Sequence, residues 1–441
     1  MPEFPTEVAP GQIIIADALM TQPREIIAQA GIAVEHGRIA AVGPAVQLRS
    51  RFPGMREQHF SDHILCPGFV NAHTHLELSF LVGKIQGPIA FPDWVLQLIA
   101  QMPQPAEAAH VIPDATQRGA AECIRFGVTT VGDITRWPEL TRPILAGGPV
   151  RVVSFGEITA LGKRRHTLQA RLDAALTSHV VGEYLSIGLS PHAPYSVEGP
   201  ALRRIVAVAE SRHLPLAMHL AENAEEGEFL ATLDGPLGRS WPLMQRLDII
   251  DEQVPRFHGG PIRWGRHYEL LLDKRRKTVA GLSPIPVVLA HVNYADDTDL
   301  KIIAESGASV AWCPRTHAYF DHPRHGEHPW RKMLSRCIPV CLSTDSLASN
   351  PDLSLLREAR HVLQCHPQTS AVVLMEMITT LPAQALGLSQ QVGCLAAGFS
   401  ADAVLLPLDR SVGTDANAVC RAIVHNAPEP AAVWVMGRRM K

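Results

Sequence analysis

The sequence predicts an α/β protein, a (β/α)8 TIM barrel with a small β-sandwich domain built from both ends of the chain. The chain has 441 residues, of which 46% are hydrophobic, enough for one large domain with an accessory. Short β-rich runs, punctuated by Gly and Pro, occupy both ends. Between them, apolar strand-like runs alternate with amphipathic helical stretches, as in a barrel of βα units.

The two chain ends are predicted to pair into one small domain. Their β-rich runs are QIIIADALM, GIAVEHGRIAAVGP and HILCPGF at the N-terminal end, and ADAVLLPLD and AAVWVMGRRM at the C-terminal end. The predicted boundaries are 1–66 for the N-terminal part of the sandwich, 67–390 for the barrel and 391–441 for the C-terminal part.

The middle of the chain is predicted to supply the eight barrel strands. In order, these are FVNAHTH, VTTVGDIT, VRVVSFGEI, YLSIGLSPH, LPLAMHLAE, PVVLAHVNY, ASVAWCPR and IPVCLSTDS. Helical stretches such as ATQRGAAECIRFG, ALRRIVAVAESRH and DLKIIAESG lie between them. A Rossmann sheet is the structural alternative, but the sequence contains neither GxGxxG nor GxxxxGK.

Composition excludes several classes of partner. Forty Lys+Arg against forty-three Asp+Glu give a net charge of −3, which offers no broad basic field for nucleic acid. No apolar run reaches the ~18–20 residues that cross a bilayer. Residues 1–11 lack the basic start of a secretory signal, so a cytoplasmic location is expected. The eight cysteines form no CxxC pair, which favours reduced thiols. The expected partner is a small-molecule substrate, and a homo-oligomer remains open.

The strongest local pattern is a pair of histidines at the end of the first barrel strand. His73 and His75 are two residues apart in FVNAHTH, so in a strand both imidazoles point to the same side. Three further polar residues close other predicted strands, namely His219, His291 and Asp345. Barrel enzymes place their active sites at these strand ends. The sequence therefore predicts a metal site there.

Imidazoles and a carboxylate are suitable ligands for one divalent ion. Zinc is favoured, and iron(II) or manganese(II) are alternatives. Glu222 follows His219 by three residues, which places a carboxylate beside the site where it can transfer protons. The alternative is that Glu222 is a helix N-terminal charge favoured by the macrodipole.

Several motifs occur in the order HGRIAAVG, CPGFVNAHTH, HLAE, HVN, STD and GCLAAGFSADAVLL. Through them the chain resembles the amidohydrolase superfamily over nearly its whole length, most closely the branch of metal-dependent deaminases and chlorohydrolases. The resemblance implies that one metal ion is bound by His73, His75, His219 and Asp345. It also implies that proton transfer and charge stabilisation are carried by Glu222, His291 and Asp345.

Binuclear members of this superfamily carry a carboxylated lysine at the end of the fourth barrel strand. Here that strand ends in LSPHAPYS, with His192 and no lysine, so a mononuclear site is expected. The HxE and PCxxC motifs of cytidine-type deaminases are absent, as is HExxH.

The motifs SPHAPYS and TDSLASN resemble the subgroup that acts on adenosine-like compounds, and HTHLELS is most similar to the aminodeoxyfutalosine deaminases. In place of the CPxSN pattern of the family, this chain has CPRTH. Each candidate substrate-binding residue has an alternative role: Glu77 contacts a ribose hydroxyl or supports a ligand histidine; His192 contacts the leaving group or makes a structural hydrogen bond; Trp94 lines the pocket or is a half-buried helix residue; Arg315 and His317 belong to a polar, cationic lid over residues 315–328 or to a second metal site.

The predicted function is hydrolytic deamination of an adenosine-like nucleoside, of the aminodeoxyfutalosine or S-adenosylhomocysteine/methylthioadenosine type. One alternative keeps the same machinery for guanine or for a triazine. Another is a non-catalytic barrel scaffold, which the complete set of ligands and proton-transfer residues disfavours. The basic and histidine-rich segment 315–328 predicts a polar or acidic 5′ extension on the nucleoside.

Overall fold

The computed structural model describes residues 11–177, 182, 184–274 and 284–441. The strands in these ranges are β1 Gln12–Gln22, β2 Glu25–Glu35, β3 Arg38–Pro44, β4 Arg56–Pro67, β5 Phe69–Thr74, β6 Val128–Thr135, β7 Arg151–Ile158, β8 Leu185–Pro191, β9 Leu216–Leu220, β10 Val287–His291, β11 Ser309–Trp312, β12 Val340–Leu342, β13 Ala403–Pro407, β14 Ala432–Val435 and β15 Arg438–Arg439. The α-helices are Ala45–Arg51, Phe91–Gln101, Pro105–Arg125, Pro138–Ala146, Leu168–Ala175, Gly199–Ser211, Glu225–Thr232, Pro242–Leu247, Pro261–His267, Asp297–Ser306, Pro314–Tyr319, Trp330–Ser335, Leu355–Cys365, Ala371–Glu376, Thr380–Ala385 and Ala416–Asn426. Short 3-10 helices span Leu76–Leu81, Gly162–Thr167, His322–His325 and Arg410–Val412.

Strands β5 to β12 form one parallel sheet in chain order. Each strand pairs in parallel with the next. A parallel bridge between Thr74 and Asp345 joins the first strand to the residues that follow the last one. The predicted (β/α)8 barrel with its eight strands is therefore confirmed.

Side-chain alternation decides which residues face the inside of the barrel. One apolar cluster takes residues from seven of the strands, among them Val153 and Phe155 of β7 and Ala217 of β9. Only the barrel interior touches all these strands. Because side chains alternate along a strand, the residues two positions further on, Glu157 and His219, also point inward, at the carboxyl-terminal mouth.

The two chain ends form a single seven-stranded sheet of order β15-β14-β13-β4-β1-β2-β3. Strands from its two halves share one buried cluster that includes Ile14, Ile32, Leu405 and Trp434. The predicted small β domain built from both chain ends is thus confirmed. Its predicted boundaries at 66/67 and 390/391 stay a prediction.

Two further expectations concern the state of the cysteines and membrane-spanning segments. All eight cysteines are free, as expected. Among the described residues, no helix is both long and apolar enough to cross a membrane.

Gly31 provides a test of the small sheet. A Cβ at this position would lie 2.0 Å from the backbone oxygen of Ile14 on the paired strand. Because two strands would have to separate, Gly31→Ala should lower the free energy of unfolding by about 1–3 kcal/mol. Thermal or denaturant unfolding followed by circular dichroism measures this loss. Gly147→Ala is the matched control, since a Cβ there meets nothing within 4 Å; equal midpoints for the two variants would contradict the expectation.

Candidate metal and catalytic site

The mouth of the barrel brings the four predicted metal ligands together. One potential ligand atom from each of His73, His75 and His219 lies within 4.8 Å of the others. The Nε2 atoms of His75 and His219 are 3.2 Å apart. The Oδ1 atom of Asp345 lies 3.5 Å from His73 Nε2 and 3.7 Å from His75 Nε2. The three imidazoles and the carboxylate therefore form one cluster.

The hydrogen bonds of these side chains fit a divalent cation. His219 Nδ1 lies 3.0 Å from the carbonyl oxygen of His192, and this contact requires the proton on Nδ1, leaving the lone pair of Nε2 toward the cluster. Both ring nitrogens of His73 are buried without a hydrogen-bond partner. A buried polar atom of this kind is costly unless something binds it. Three imidazoles and one carboxylate are a suitable ligand set for zinc.

Burial favours the neutral imidazoles of His75 and His219, and the neutral imidazole is the form that binds metal. Burial, together with the nearby His73, lowers the pKa of His75 to about 4. Burial and the neighbouring His192 place the pKa of His219 well below its usual value. Burial opposes ionisation of the Asp345 carboxyl, but the His73 imidazole that faces it holds its pKa below the usual range.

His291 and Glu222 face each other beside the ligands. His291 Nε2 lies 3.4 Å from Glu222 Oε1, and both side chains are buried. Leu289 belongs to the cluster outside the barrel, so an extended His291 would also point outward. Its backbone instead has φ +70°, and this left-handed conformation lets the ring enter the mouth. Burial lowers the pKa of His291 to about 3.

The Glu222 carboxyl is suited to donate a proton. Burial, reinforced by the charges of Asp345 and Glu226, raises its pKa well above the usual value. This shift favours the neutral carboxyl, which carries a proton, beside the predicted metal ligands. A carboxyl group of raised pKa in such a place is typical of a general acid.

Two buried residues that the sequence analysis missed hold this pair in place. Glu226 accepts hydrogen bonds from the backbone N–H groups of residues 221–223, at 2.7 Å for Glu222. His328 accepts a hydrogen bond from the Trp330 N–H on Nδ1, so its Nε2–H donates to the carbonyl oxygen of His291, over 2.9 Å. A carboxylate four residues after Glu222, in HLAENAEE, was the available signal for Glu226. No sequence signal identified His328 as the partner of His291.

Glu77 lies near the mouth but is bound by the loop that follows β6. Its carboxylate accepts hydrogen bonds from Thr135 Oγ1 at 2.5 Å and from the N–H groups of Arg136 and Trp137 at 3.0 and 3.3 Å. Burial raises its pKa to about 7. The carboxylate thus fixes the loop after β6, and a contact with ribose stays a prediction.

His192 is one-quarter exposed and lies next to the metal ligands. Its ring centroid is 5.0 Å from that of His219, and its Nδ1 lies 2.7 Å from Ser196 Oγ. Its Nε2 faces Glu157 Oε2 across 4.0 Å. The partly exposed ring lies beside His219, and a contact with a substrate stays a prediction.

Trp94 is a buried residue of the helix Phe91–Gln101. Its ring packs against Phe91 and Phe320, and its Nε1–H donates to the carbonyl oxygen of Ala348 over 3.2 Å. Phe91 also contacts Tyr195, whose ring lies beside His192. The helix that follows the first barrel strand is therefore joined to the mouth through aromatic side chains.

The segment 315–328 differs from the expected cationic lid. Arg315 and His317 lie on the short helix Pro314–Tyr319. Arg315 Nε donates to Glu358 Oε1 over 2.6 Å and its Nη2 to Asp352 Oδ1 over 2.9 Å, so its charge is compensated within the chain. Burial and the neighbouring His328 lower the pKa of His317 to about 2. The metal-ligand group found among the described residues is the one at the mouth, and it includes none of these side chains.

Comparison with known proteins identifies a family. The amidohydrolase family model matches residues 64–440, and a bacterial imidazolonepropionase-like composite domain matches residues 30–54. A 5-methylthioadenosine/S-adenosylhomocysteine deaminase from Syntrophobacter fumaroxidans is 26% identical over 390 residues, covering 85% of this chain and 79% of the relative. An aminodeoxyfutalosine deaminase from Deinococcus radiodurans is 26% identical over 367 residues, covering 82% and 83%.

Solved structures share the fold. Helicobacter pylori aminofutalosine deaminase, in complex with methylthio-coformycin, aligns with a TM-score of 0.80 at 20% identity and covers 98% of this chain and 100% of its own. An adenosine deaminase from Xanthomonas campestris with bound zinc aligns with a TM-score of 0.74 at 22% identity, covering 97% and 92%. Both agree with the barrel and the small sheet seen here.

Removing the metal should destabilise the protein. An ion that binds only the folded state raises its stability, and without it the four ligands are left buried together. We expect a chelator to lower the Tm, and zinc to restore it. His73→Ala should lose the metal, as measured by elemental analysis, together with this response. His110→Ala, at an exposed position, is the control; a His73→Ala protein that keeps stoichiometric metal would remove this residue from the ligand set.

Proposed function

Because the chain belongs to the amidohydrolase family, we propose that it is a metal-dependent deaminase that hydrolyses the C–N bond to the amino group of an adenosine-like nucleoside. The observation that carries the chemistry is the buried Glu222 carboxyl, 3.4 Å from His291 Nε2 and beside the histidine cluster; burial raises its pKa well above the usual value. The names of the curated relatives support the substrate class, since they are deaminases of methylthioadenosine, S-adenosylhomocysteine and aminodeoxyfutalosine.

The proposed ion is a single zinc, held by His73, His75, His219 and Asp345. When bound, such an ion lowers the pKa of water and so supplies a nucleophile near neutral pH. The zinc in the Xanthomonas relative supports this metal, and the absence of a lysine at the His192 position supports a single ion.

Protein side chains move the protons. Asp345 and His291 accept and guide the proton of the attacking water. Glu222 donates its proton to the ring nitrogen next to the attacked carbon, which makes that carbon more electrophilic. His291 also stabilises the charge that develops on the oxygen attached to the tetrahedral carbon. Proton return to the amino group then allows ammonia to leave.

The proposed substrate-binding residues are Glu77, Trp94, His192, Arg315 and His317. The proposed role of His192 is supported by its partly exposed ring beside His219. The proposed role of Trp94 is supported by its contact with Phe91, which in turn contacts Tyr195. Arg315 is already neutralised by Asp352 and Glu358, so it does not support an acidic 5′ extension. A cytoplasmic location and a homo-oligomer stay predictions.

Glu222→Gln tests the proton donor. The amide keeps the shape of the side chain but cannot donate and regain the proton, so kcat should fall ~10²–10⁴-fold while the metal content and the Tm stay unchanged. Glu228→Gln, exposed on the following helix, is the matched control. A Glu222→Gln enzyme within about threefold of wild-type kcat would return this carboxyl to the role of a helix N-terminal charge.

The substrate class is tested by an ammonia-release assay. The panel contains adenosine, methylthioadenosine, S-adenosylhomocysteine, aminodeoxyfutalosine, guanine and melamine. We expect the kcat/KM of the best nucleoside to exceed those of guanine and melamine by tenfold or more, because polar residues around the mouth can bind a sugar. A tenfold preference for the free base or the triazine would reject the nucleoside and leave the metal mechanism intact.

A further inference from the structure

Strand β7 presents a carboxylate to the mouth of the barrel that has no part in the mechanism above. Glu157 follows the inward-facing Val153 and Phe155 by alternation, at the carboxyl-terminal end of the strand. Its side chain is 14% exposed, and its Oε2 lies 4.0 Å from His192 Nε2. That distance is longer than a hydrogen bond, so His192 does not occupy this oxygen, and the exposed part of the Glu157 side chain is open to a bound group.

The positions of the reacting groups give the direction of the substrate. Glu222 and His291 follow or end β9 and β10, and Asp345 follows β12. The amine-bearing carbon of the purine must lie next to them. The ribose is attached to the five-membered ring, on the far side of the purine from this carbon. The sugar therefore extends toward the opposite side of the ring, formed by β5 to β8. On that side β7 carries Glu157 and β8 is followed by His192.

The chemistry of Glu157 suits a sugar. A carboxylate accepts hydrogen bonds at both oxygens, and charge-assisted bonds from hydroxyl groups are strong. The other carboxylate near this side, Glu77, already accepts three hydrogen bonds from the loop after β6. Glu157 is thus the better placed acceptor for the vicinal hydroxyl groups of a ribose.

We propose that Glu157 binds the ribose hydroxyls of the nucleoside and so selects ribonucleosides over deoxyribonucleosides and free bases. The proposal rests on the proposed function, and it assigns to one residue the recognition of the sugar. The contact exists in both the bound substrate and the transition state, so it acts through KM more than through kcat.

The test compares the best nucleoside of the panel with its 2′-deoxy and 3′-deoxy analogues. Wild-type enzyme should prefer the riboside to at least one deoxy analogue by tenfold or more in kcat/KM. Glu157→Ala should lower kcat/KM for the riboside by about 10–100-fold, the effect of one charged hydrogen bond, mainly through KM. For that deoxy analogue, the same variant should lose less than about threefold.

Two further variants separate the sugar contact from other effects. Glu157→Gln keeps the volume of the side chain and serves if the alanine variant fails to fold, with metal content and Tm as checks; it should also reduce the preference for the riboside. Glu139→Gln removes an exposed charge from the helix after β6 and should leave this preference unchanged.

Equal losses on the riboside and on both deoxy analogues would overturn the proposal and make Glu157 a support for His192. Wild-type enzyme without a preference for the riboside would overturn it as well. Failure of the proposed function looks different, because the wild-type enzyme would then release ammonia from none of the nucleosides.

Discussion

The closure of the barrel is the interaction on which the site depends. The bridge between Thr74 and Asp345 joins β5 to the end of β12, and the Asp345 N–H donates to the carbonyl oxygen of His73 over 3.2 Å. Thr74 Oγ1 in turn donates to the Asp345 carbonyl oxygen over 2.9 Å. The backbone that completes the ring is therefore the backbone that carries three of the four proposed metal ligands. Closure of the barrel therefore also brings these three proposed ligands together.

The site contains buried polar side chains and residues with a left-handed backbone, and apolar packing in their place would be more stable. His291 and Asp345 both have a positive φ, at +70° and +58°, a conformation that costs about 1–3 kcal/mol for such residues. Their surroundings compensate through fixed hydrogen bonds, from His328 to the His291 carbonyl oxygen and from Ser349 Oγ to Asp345 Oδ2. The rigidity of the barrel holds these groups in place, so they need not reorganise when the reaction begins.

The strands and most of the centre follow from local sequence, because alternation and strand ends are local properties. Counting along a strand predicts that His73 and His75 share one side and that His219 ends a strand. The inward direction of the His291 ring could not be predicted, because it depends on a left-handed backbone conformation that residue preferences do not indicate. Contacts between residues far apart in the chain, such as the ion pair of Arg315 with Glu358, could not be predicted from the sequence either. Glu157 lay within a predicted strand, VRVVSFGEI, but its inward direction became clear only when Val153 and Phe155 were seen in the interior.

The order of strands in the small sheet bears on how the chain is made. Strand β4 lies between β1 and β13 and continues through Gly68 into β5. Its antiparallel partner β13 is synthesised after the whole barrel, so β4 keeps an open edge during translation. Open edges invite pairing with other chains, and contacts between distant residues form slowly. The pairing of β13 with β4 is thus a late step in the biogenesis of the protein, and until it occurs the edge of β4 is open to other chains.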